Sequence, residues 1–446
     1  ASRRSDSRRH RLKTKFKSGR NFPTAFCIKK LKNWRGYDII LIGSVVQVLN
    51  SEKYIRPHML LYRAAQLVAA GFAATVFKRK YIRNEIRNAQ GPYVVIANHQ
   101  AAYDFAGLIG ATKRPLTFVI SNSFYNSLPI TGILRKLGVI PKQQFQTTVS
   151  DMRRIKAVIE NGESLVIYPA GLMCEDGIST PIPQATYKFL KWLDADVYVA
   201  RASGTYFTMP KWTKGFRPGR TYMDIYKLFD RAELKKLSVG EIKERTDGAI
   251  LFDAYREQEG LLSKYSNNDN IEGLEKVLYA CPNCGKEFTV KVKDGNVIYC
   301  TDCGFAERSD EYGFLHLIGE GEELRYVSDW SRLVYERHRD MLKEHPEYTL
   351  SAKTRIYMLD YDRHKFTWVG LGKLTLGKTA FKIEGVINGS SVDMTIPTTK
   401  LPTLPFKPGK YLEVQDGGDI YRCELDDGKL VMKFINTVKA FFELNN

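Results

Sequence analysis

Histidine, cysteine and long apolar runs are all scarce in this sequence of 446 residues. It contains seven histidines and seven cysteines, and no histidine lies between His99 and His316. No apolar run is long and unbroken enough to predict a secure transmembrane helix. No apolar core with a small-residue cleavage site closely follows the basic N-terminus, so we expect no cleavable signal peptide. With 43% apolar residues, the chain should instead fold into two or three globular domains.

Acidic residues are nearly absent from the first 36 positions. This segment holds 13 Lys or Arg but one acid, Asp6, and so carries most of the formal net charge of +19. A basic arm suits a polyanion, which would be an anionic membrane surface, nucleic acid or an acidic carrier protein. A solvated, disordered tail is the alternative. We assign residues 1–54 to this arm.

The most apolar stretch, MLLYRAAQLVAAGFAATVF, covers residues 59–77. It is long enough to cross a bilayer, but Arg63 and Gln66 interrupt it and three basic residues follow at once. This pattern fits a helix that lies in or dips into the membrane interface. An amphipathic helix packed on its own domain fits equally well.

Strands and helices alternate over residues 55–262. YVVIAN and LTFVI are continuous apolar runs, as expected of strands covered on both faces. DMRRIKAVIENG places its apolar residues on one helical face, with Ser150 as the expected N-cap and Asn161-Gly162 as its end. This alternation predicts an α/β layered domain.

A polar cluster follows the first of these strands, and it contains Asn98, His99 and Asp104. A neutral imidazole can take a proton from a hydroxyl, while a carboxylate fixes its tautomer. Such a pair is feasible if His99 lies in the turn after the strand and Asp104 begins the next helix. Ligands also bind at such strand ends. On spacing alone, however, a structural hydrogen bond is the commoner explanation.

The segment Asn-His-x-x-x-x-Asp after an apolar strand resembles the lysophospholipid (1-acyl-glycerol-3-phosphate) acyltransferase family. Later segments follow in the family's order over roughly residues 55–260. LGVIP resembles the second block, VIYPAG resembles the third block, which is usually Phe-Pro-Glu-Gly, and FRPGRTYMDIY resembles the trailing strand. The resemblance implies a glycerolipid acyltransferase-type α/β domain.

The resemblance also implies roles for individual residues. His99 would deprotonate the acceptor's hydroxyl, which attacks an acyl thioester, and Asp104 would orient His99. The donor would be acyl-CoA or acyl carrier protein, and the acceptor a lysophospholipid such as 1-acyl-glycerol-3-phosphate. The enzyme would act on the cytoplasmic side of the cell membrane as a peripheral or monotopic protein. The implied substrate-binding residues are Asn98, Lys142, Tyr168, Pro169 and Gly171.

The sequence departs from the family pattern on the acceptor side. An Arg usually ends the second block, but here Lys142 is present and Gln144 stands nearer the usual position. Lysine binds phosphate as a point charge and not bidentately. Ala170 replaces the third block's Glu, for which Glu175 is a candidate substitute. A different acceptor, or a lipid-binding scaffold without catalysis, therefore remains an alternative.

Four cysteines form two tight pairs with C-x2-C spacing, separated by fifteen residues. This spacing predicts a zinc ribbon over residues 277–308, in a reducing cytosol. Asp294-Gly295 is the expected hairpin turn, and a glycine after each pair allows a tight knuckle. Four thiolates close the coordination sphere, so the zinc should be structural. The basic patch is too weak to favour nucleic acid as a partner. The ligands are Cys281, Cys284, Cys300 and Cys303.

Three further segments complete the prediction. Residues 263–273 are polar and turn-rich, which is typical of a linker. Residues 309–349 form a connecting helical segment that Pro346 stops. Residues 350–446 alternate apolar and polar positions, which predicts an antiparallel β domain with a C-terminal helix. That pattern resembles a pleckstrin-homology-like or GRAM-like fold, and a packing domain without a ligand is the alternative.

Overall fold

The computed structural model describes residues 54–144, 148–265, 270–416 and 418–446, together with the backbone of three strands nearer the N-terminus. Contacts divide the chain into two units, Ala1–Lys53 and Tyr54–Asn446. In the first unit, an antiparallel sheet is formed by β1 (Lys29–Lys32), β2 (Asp38–Ile42) and β3 (Val45–Leu49). The rest of the predicted basic arm lies outside the described residues.

The second unit begins with a seven-stranded, mainly parallel sheet. Its order is β4-β10-β9-β5-β8-β6-β7, and β10 is antiparallel to β9. The α/β prediction for this region is confirmed, because the continuous apolar runs are its central strands. The strands are β4 (Lys80–Asn84), β5 (Tyr93–Ala97), β6 (Leu116–Ser121), β7 (Ile140–Lys142), β8 (Ser164–Ile167), β9 (Asp196–Ser203) and β10 (Tyr222–Phe229).

Ten helices accompany this sheet. They are α1 (Met59–Thr75), α2 (Asp104–Ala111), α3 (Asn122–Asn126), α4 (Thr131–Lys136), α5 (Val149–Glu160), α6 (Ala185–Leu193), α7 (Thr205–Thr208), α8 (Arg231–Lys236), α9 (Val239–Ile250) and α10 (Ala254–Leu261). Alternate residues of β5 pack into two different hydrophobic cores. Val94 and Ile96 pack with α5, α6 and α9, whereas Tyr93 and Val95 pack with α2. The prediction of Ser150 as N-cap of α5 is wrong: Thr148 forms a capping box with Asp151.

Helix α1 presents two different faces. Tyr62 and Ala73 are buried, and the Gln66 side chain donates to the Ile109 carbonyl of α2 at 2.9 Å. On the other face, Leu67 and Val68 are 76% and 74% exposed. The interpretation of α1 as a helix packed on its own domain is therefore confirmed, and the membrane-interface interpretation stays a prediction that its exposed apolar side chains allow. Within the described residues, every helix is too short or too polar to span a bilayer.

The cysteine-containing region is a four-stranded antiparallel sheet. Its strands are β11 (Val290–Lys293), β12 (Val297–Cys300), β13 (Ala306–Ser309) and β14 (Leu315–Ile318). Asp294 and Gly295 have φ of 55° and 69°, so the hairpin turn lies where the sequence predicted it. The segment predicted to be helical begins instead with β14, and its helix α11 occupies Val327–Glu344.

The C-terminal region is a second seven-stranded sheet, antiparallel throughout as predicted. Its order is β18-β17-β16-β15-β21-β20-β19, and helix α12 (Leu430–Asn445) packs into its core. Short 3-10 turns occur at Leu274–Lys276 and Thr398–Lys400. The strands are β15 (Leu350–Asp360), β16 (Lys365–Leu376), β17 (Ala380–Ile387), β18 (Ser390–Pro397), β19 (Phe406–Lys407), β20 (Tyr411–Asp416) and β21 (Asp419–Leu425).

One hydrophobic core joins the cysteine region, the C-terminal sheet and part of the α/β region. Tyr206 and Phe207 from the α/β region belong to the same cluster as Trp330 of α11 and Phe434 of α12. Tyr265, in the segment predicted to be a linker, is 1% exposed and packs in that cluster. The described part of this segment is therefore integral to the fold.

Candidate functional site

The turn after β5 is clamped to the neighbouring strand β9. The Asn98 side-chain amide donates to the Ala202 carbonyl, and its oxygen accepts from the Ala202 amide, both at 2.7 Å. Asn98 is buried, and both of its polar atoms are used by the backbone. Its side chain therefore fixes the turn, and its role in substrate binding stays a prediction. We call residues 98–104 the first-block turn.

The first-block turn brings His99 and Asp104 together. His99 Nδ1 lies 3.2 Å from Asp104 Oδ2, and the same oxygen accepts the backbone amides of Gln100 and Ala101 at 2.7 and 2.9 Å. Asp104 is 1% exposed, whereas the His99 side chain is 23% exposed. Because Nδ1 is engaged, Nε2 is the ring nitrogen left for an external hydroxyl. The geometry is that of an imidazole whose tautomer is set by a fixed carboxylate.

The segment after β8 forms one wall of this site. The Tyr168 ring lies 4.5 Å from the His99 ring, centroid to centroid, at an angle of 36°. Its hydroxyl is buried and has no hydrogen-bond partner among the described residues. Burial raises the pKa of this hydroxyl, and the nearby Asp104 charge acts in the same direction. Pro169 and Ala170 follow, and Gly171 closes the turn with φ of 71°. We call residues 168–177 the third-block loop.

A glutamine bridges the second and third blocks. The Gln144 side-chain amide donates to the Gly171 carbonyl at 2.6 Å. Lys142, at the end of β7, donates through Nζ to the Gln143 carbonyl at 3.0 Å. Burial lowers the pKa of Lys142, and the nearby Asp151 opposes this effect. A partly buried cation and a neutral bridge thus occupy the region where the family pattern has an Arg.

Glu175 lies in an ion pair with the C-terminal helix. Its Oε1 accepts from Lys439 Nζ of α12 at 2.7 Å, and Glu175 is 5% exposed. The next residue, Asp176, accepts from the Ser331 hydroxyl of α11 at 2.7 Å. The expectation that Glu175 substitutes for the missing acceptor-side Glu is therefore not met, because Glu175 anchors the C-terminal helix. Cys174 is buried, as expected of a packing residue.

One buried residue near the site was missed by the sequence reasoning. Arg79 follows α1 and packs against α2, and the residue is 8% exposed. In the sequence it stands in a run of basic residues that resembles the flank of a membrane-associated helix. No local pattern distinguishes it from its exposed neighbours, because only the fold brings it beneath α2.

The four paired cysteines converge on one point. Their Sγ atoms all lie within 4.8 Å of one another, which would allow them to hold a metal ion. Gly285 and Gly304 have φ of 73° and 78°, so the expected knuckles are present. The Asp302 amide points at Cys300 Sγ at 3.4 Å, as a backbone donor to a thiolate would. The cluster is Cys281, Cys284, Cys300 and Cys303.

Comparison with known proteins supports an acyltransferase. Residues 78–207 match the Acyltransferase family model, and this segment contains the whole first-block turn and third-block loop. No curated protein matches the chain. Among solved structures, a match is the 1-acyl-sn-glycerophosphate (LPA) acyltransferase PlsC from Thermotoga maritima, with 18% identity and a TM-score of 0.38, over 48% of this chain and 86% of that one. That likeness is too distant to bear on the mechanism.

Proposed function

We propose that this protein is a peripheral membrane O-acyltransferase that moves a fatty acyl group from a thioester to the hydroxyl of a lysophospholipid. The observation that carries the proposal is the His99–Asp104 pair, which is held at 3.2 Å inside the segment that matches the Acyltransferase family. The donor is acyl-CoA or acyl carrier protein. The leading acceptor is 1-acyl-glycerol-3-phosphate.

In the proposed reaction, His99 Nε2 takes the proton of the acceptor hydroxyl as its oxygen attacks the thioester carbonyl. The new C–O bond forms, the C–S bond breaks, and the leaving thiolate receives the proton from the imidazolium. Asp104 stabilises that imidazolium and holds the ring in the required tautomer. No acyl-enzyme forms. The oxyanion must find donors other than the Gln100 and Ala101 amides, since both donate to Asp104.

The acceptor side of the site has two candidate outcomes. Lys142 is the proposed contact for an acceptor phosphate, beside Tyr168, Pro169 and Gly171. The neutral Gln144 and Ala170 leave fewer charged groups than the family pattern has, which favours keeping a non-phosphatidate acceptor as the alternative. An acyltransferase-like protein that binds lipid without turnover is the second alternative.

The exposed face of α1 supports a membrane-facing orientation. Leu60, Leu67 and Val68 are 80%, 76% and 74% exposed. Positions 60, 67 and 68 fall on one helical face, and an apolar face of this kind suits the membrane interface. We place the protein on the cytoplasmic side of the cell membrane. Combining Leu67→Glu with Val68→Glu should weaken binding to anionic vesicles, whereas Leu262→Glu, at another exposed leucine, should not.

A substrate panel tests the proposed activity. Purified protein is incubated with acyl-CoA or acyl-carrier-protein thioester and a set of lysophospholipids with and without a headgroup phosphomonoester. Turnover with one acceptor class identifies the substrate, and a preference for the phosphomonoester supports phosphatidate synthesis. Binding of lysophospholipid without turnover on any donor would instead support the non-catalytic alternative and contradict the enzyme.

We also propose that the cysteine cluster holds one structural Zn²⁺. Four thiolates within 4.8 Å of one another would fill the coordination sphere of the ion and leave no open position for substrate, so the ion would stabilise the fold. Elemental analysis should give about one zinc per chain, and Cys300→Ser should lose the metal and lower the melting temperature. A folded wild-type protein without bound metal would contradict the assignment.

A further inference from the structure

Arg79 is a buried cation that lacks a full set of partners. Its Nη1 donates to the Tyr222 carbonyl at 3.1 Å, but Nε and Nη2 are buried without a hydrogen-bond partner among the described residues. A Cβ placed on Gly107 would lie 3.4 Å from the guanidinium carbon. Gly107 is three residues after Asp104 in α2, so the two positions share a helix face. Arg79 therefore lies against the face of α2 that carries the carboxylate.

Two further buried polar atoms lack a hydrogen-bond partner among the described residues. They are Asp104 Oδ1, since Asp104 uses only Oδ2 in its hydrogen bonds, and the Tyr168 hydroxyl. Two guanidinium donors, a carboxylate acceptor and a phenol that can do both form a complementary set. Unsatisfied buried groups cost free energy, and an ordered water is their usual partner. The three side chains come from three different segments around the first-block turn.

The charges in this region complement one another. Burial lowers the pKa of Arg79, and the negative charge of the Asp104 carboxylate opposes that change. Arg79 forms no ion pair among the described residues. The other titratable groups that act on Arg79 are neutral at pH 7, and they are Tyr81, Tyr168 and Tyr265. Asp104 thus interacts with the Arg79 cation as well as with His99.

We propose that Arg79 is a positioning residue for the acyl-transfer base, His99. Arg79 and His99 share the Asp104 carboxylate, which Arg79 contacts through bound water at Oδ1 and the Tyr168 hydroxyl. An uncompensated carboxylate would favour imidazolium, which cannot accept the acceptor's proton. A fixed guanidinium close to the carboxylate offsets part of its negative charge. This inference rests on the proposed function, because it concerns the base of that reaction.

Arg79→Met tests the inference, since Met removes the charge and keeps the length of the side chain. Replacing an unpaired buried charge by an apolar residue is expected to preserve the fold. The acid limb of the pH profile of kcat/KM should move up by about one pH unit, with about a tenfold loss on that limb and a smaller loss on the plateau. Arg79→Lys keeps the charge and should keep the limb near its wild-type position. Arg83→Gln, four residues later on β4 and in an ion pair with Asp224, should leave the profile unchanged.

A second readout does not depend on activity. The C2–H resonance of His99, identified by its loss in His99→Gln, is followed by NMR over pH 5 to 9. Its midpoint should shift upward in Arg79→Met and not in Arg83→Gln. If Arg79→Met does not fold, Arg79→Gln replaces it, because it keeps a donor without the charge.

The outcomes separate the two proposals. A folded Arg79→Met protein with an unchanged His99 midpoint and an unchanged acid limb would overturn the inference, whatever its activity. Equal shifts in Arg79→Lys and Arg79→Met would also overturn it, because the charge would then not be the cause. A shifted midpoint in a protein that turns over no acceptor would support the electrostatic inference while the proposed acyltransferase activity fails.

Discussion

The first-block turn and the third-block loop are held in place in different ways. The first-block turn is fixed from within the α/β region. The Asn98 side chain is hydrogen-bonded to β9, and Asp104 accepts two backbone amides of the turn itself. The third-block loop is also fixed from outside that region, where Glu175 and Asp176 contact helices α12 and α11. The proposed base should therefore depend on contacts within the α/β region, whereas the proposed acceptor wall should also depend on the C-terminal region.

The largest effect should come from breaking the local contacts. Asp104→Asn keeps the size of the side chain and a carbonyl oxygen in place of Oδ2, but it removes the negative charge. We expect kcat/KM to fall by about 10²–10³-fold, because the base loses its counter-charge. Steady-state assays on the acceptor found by the panel measure this loss. The matched control is Asp224→Asn, which removes a partly buried carboxylate paired with Arg83 outside the site and should cost little activity. A loss below threefold in Asp104→Asn would mean that the pair is structural.

Breaking the remote contact should affect stability and the acceptor more than the chemistry. Lys439→Met leaves the buried Glu175 carboxylate without its partner. The Lys439 side chain is 27% exposed, so we expect a cost of about 2–3 kcal/mol in urea unfolding rather than that of a fully buried pair. The KM for the acceptor should rise more than kcat falls. Lys429→Met, exposed at the start of the same helix, is the control. Unchanged unfolding in Lys439→Met would show that the ion pair does not hold the loop.

The contact between α11 and α12, the two helices that hold the third-block loop, can be tested through the pH dependence of stability. His338 is buried in α11 with Nε2 2.8 Å from the Thr437 hydroxyl of α12, and burial lowers the pKa of His338 to about 4, helped by Lys433. The unfolded chain, with a pKa near 6.5, binds the extra proton in that window, so stability must fall as the pH decreases from about 6.5 to 4.

His338→Gln removes that titration and keeps a hydrogen-bonding side chain. Between pH 6.5 and 4, the wild type should lose about 2–3 kcal/mol more unfolding free energy than His338→Gln does. His345→Gln, at an exposed histidine, should follow the wild type. Parallel curves for the wild type and His338→Gln would contradict a neutral, buried His338.

The smallest effect concerns the acceptor headgroup. Lys142→Ala should raise the KM for a phosphomonoester acceptor by about five- to tenfold, because an ammonium contact to phosphate is lost. An acceptor without that phosphate should be unaffected, which makes it the internal control. If both acceptors respond equally, Lys142 supports the wall of the site and does not bind phosphate.

The same contrast explains what sequence reasoning could find. Features written within a few residues were predicted correctly: the apolar strand β5, the Asp294-Gly295 turn and the paired cysteines. Their physical causes are local, since side-chain periodicity, positive φ and ligand spacing all act over short distances. The pairing of His99 with Asp104 also needed only one turn of chain.

The features that were missed all depend on distant segments. Glu175 meets Lys439 across 264 residues, so no pattern around the third block predicts that contact. Arg79 stands in a basic run and becomes buried only because α2 folds over it. Tyr265 lies in a polar, turn-rich segment, yet its ring fills the core. Local sequence patterns reflect only the neighbours of such residues along the chain, whereas the tertiary fold determines whether the residues are buried.

The most direct test of the central claim is the effect of His99→Ala on kcat/KM with the best acceptor of the panel. If His99 is the general base, the variant should fold like the wild type and lose about 10³-fold or more, within the range for removal of a positioned base. His345→Ala, an exposed histidine outside the site, should retain full activity. A folded His99→Ala protein with near wild-type turnover would contradict the account.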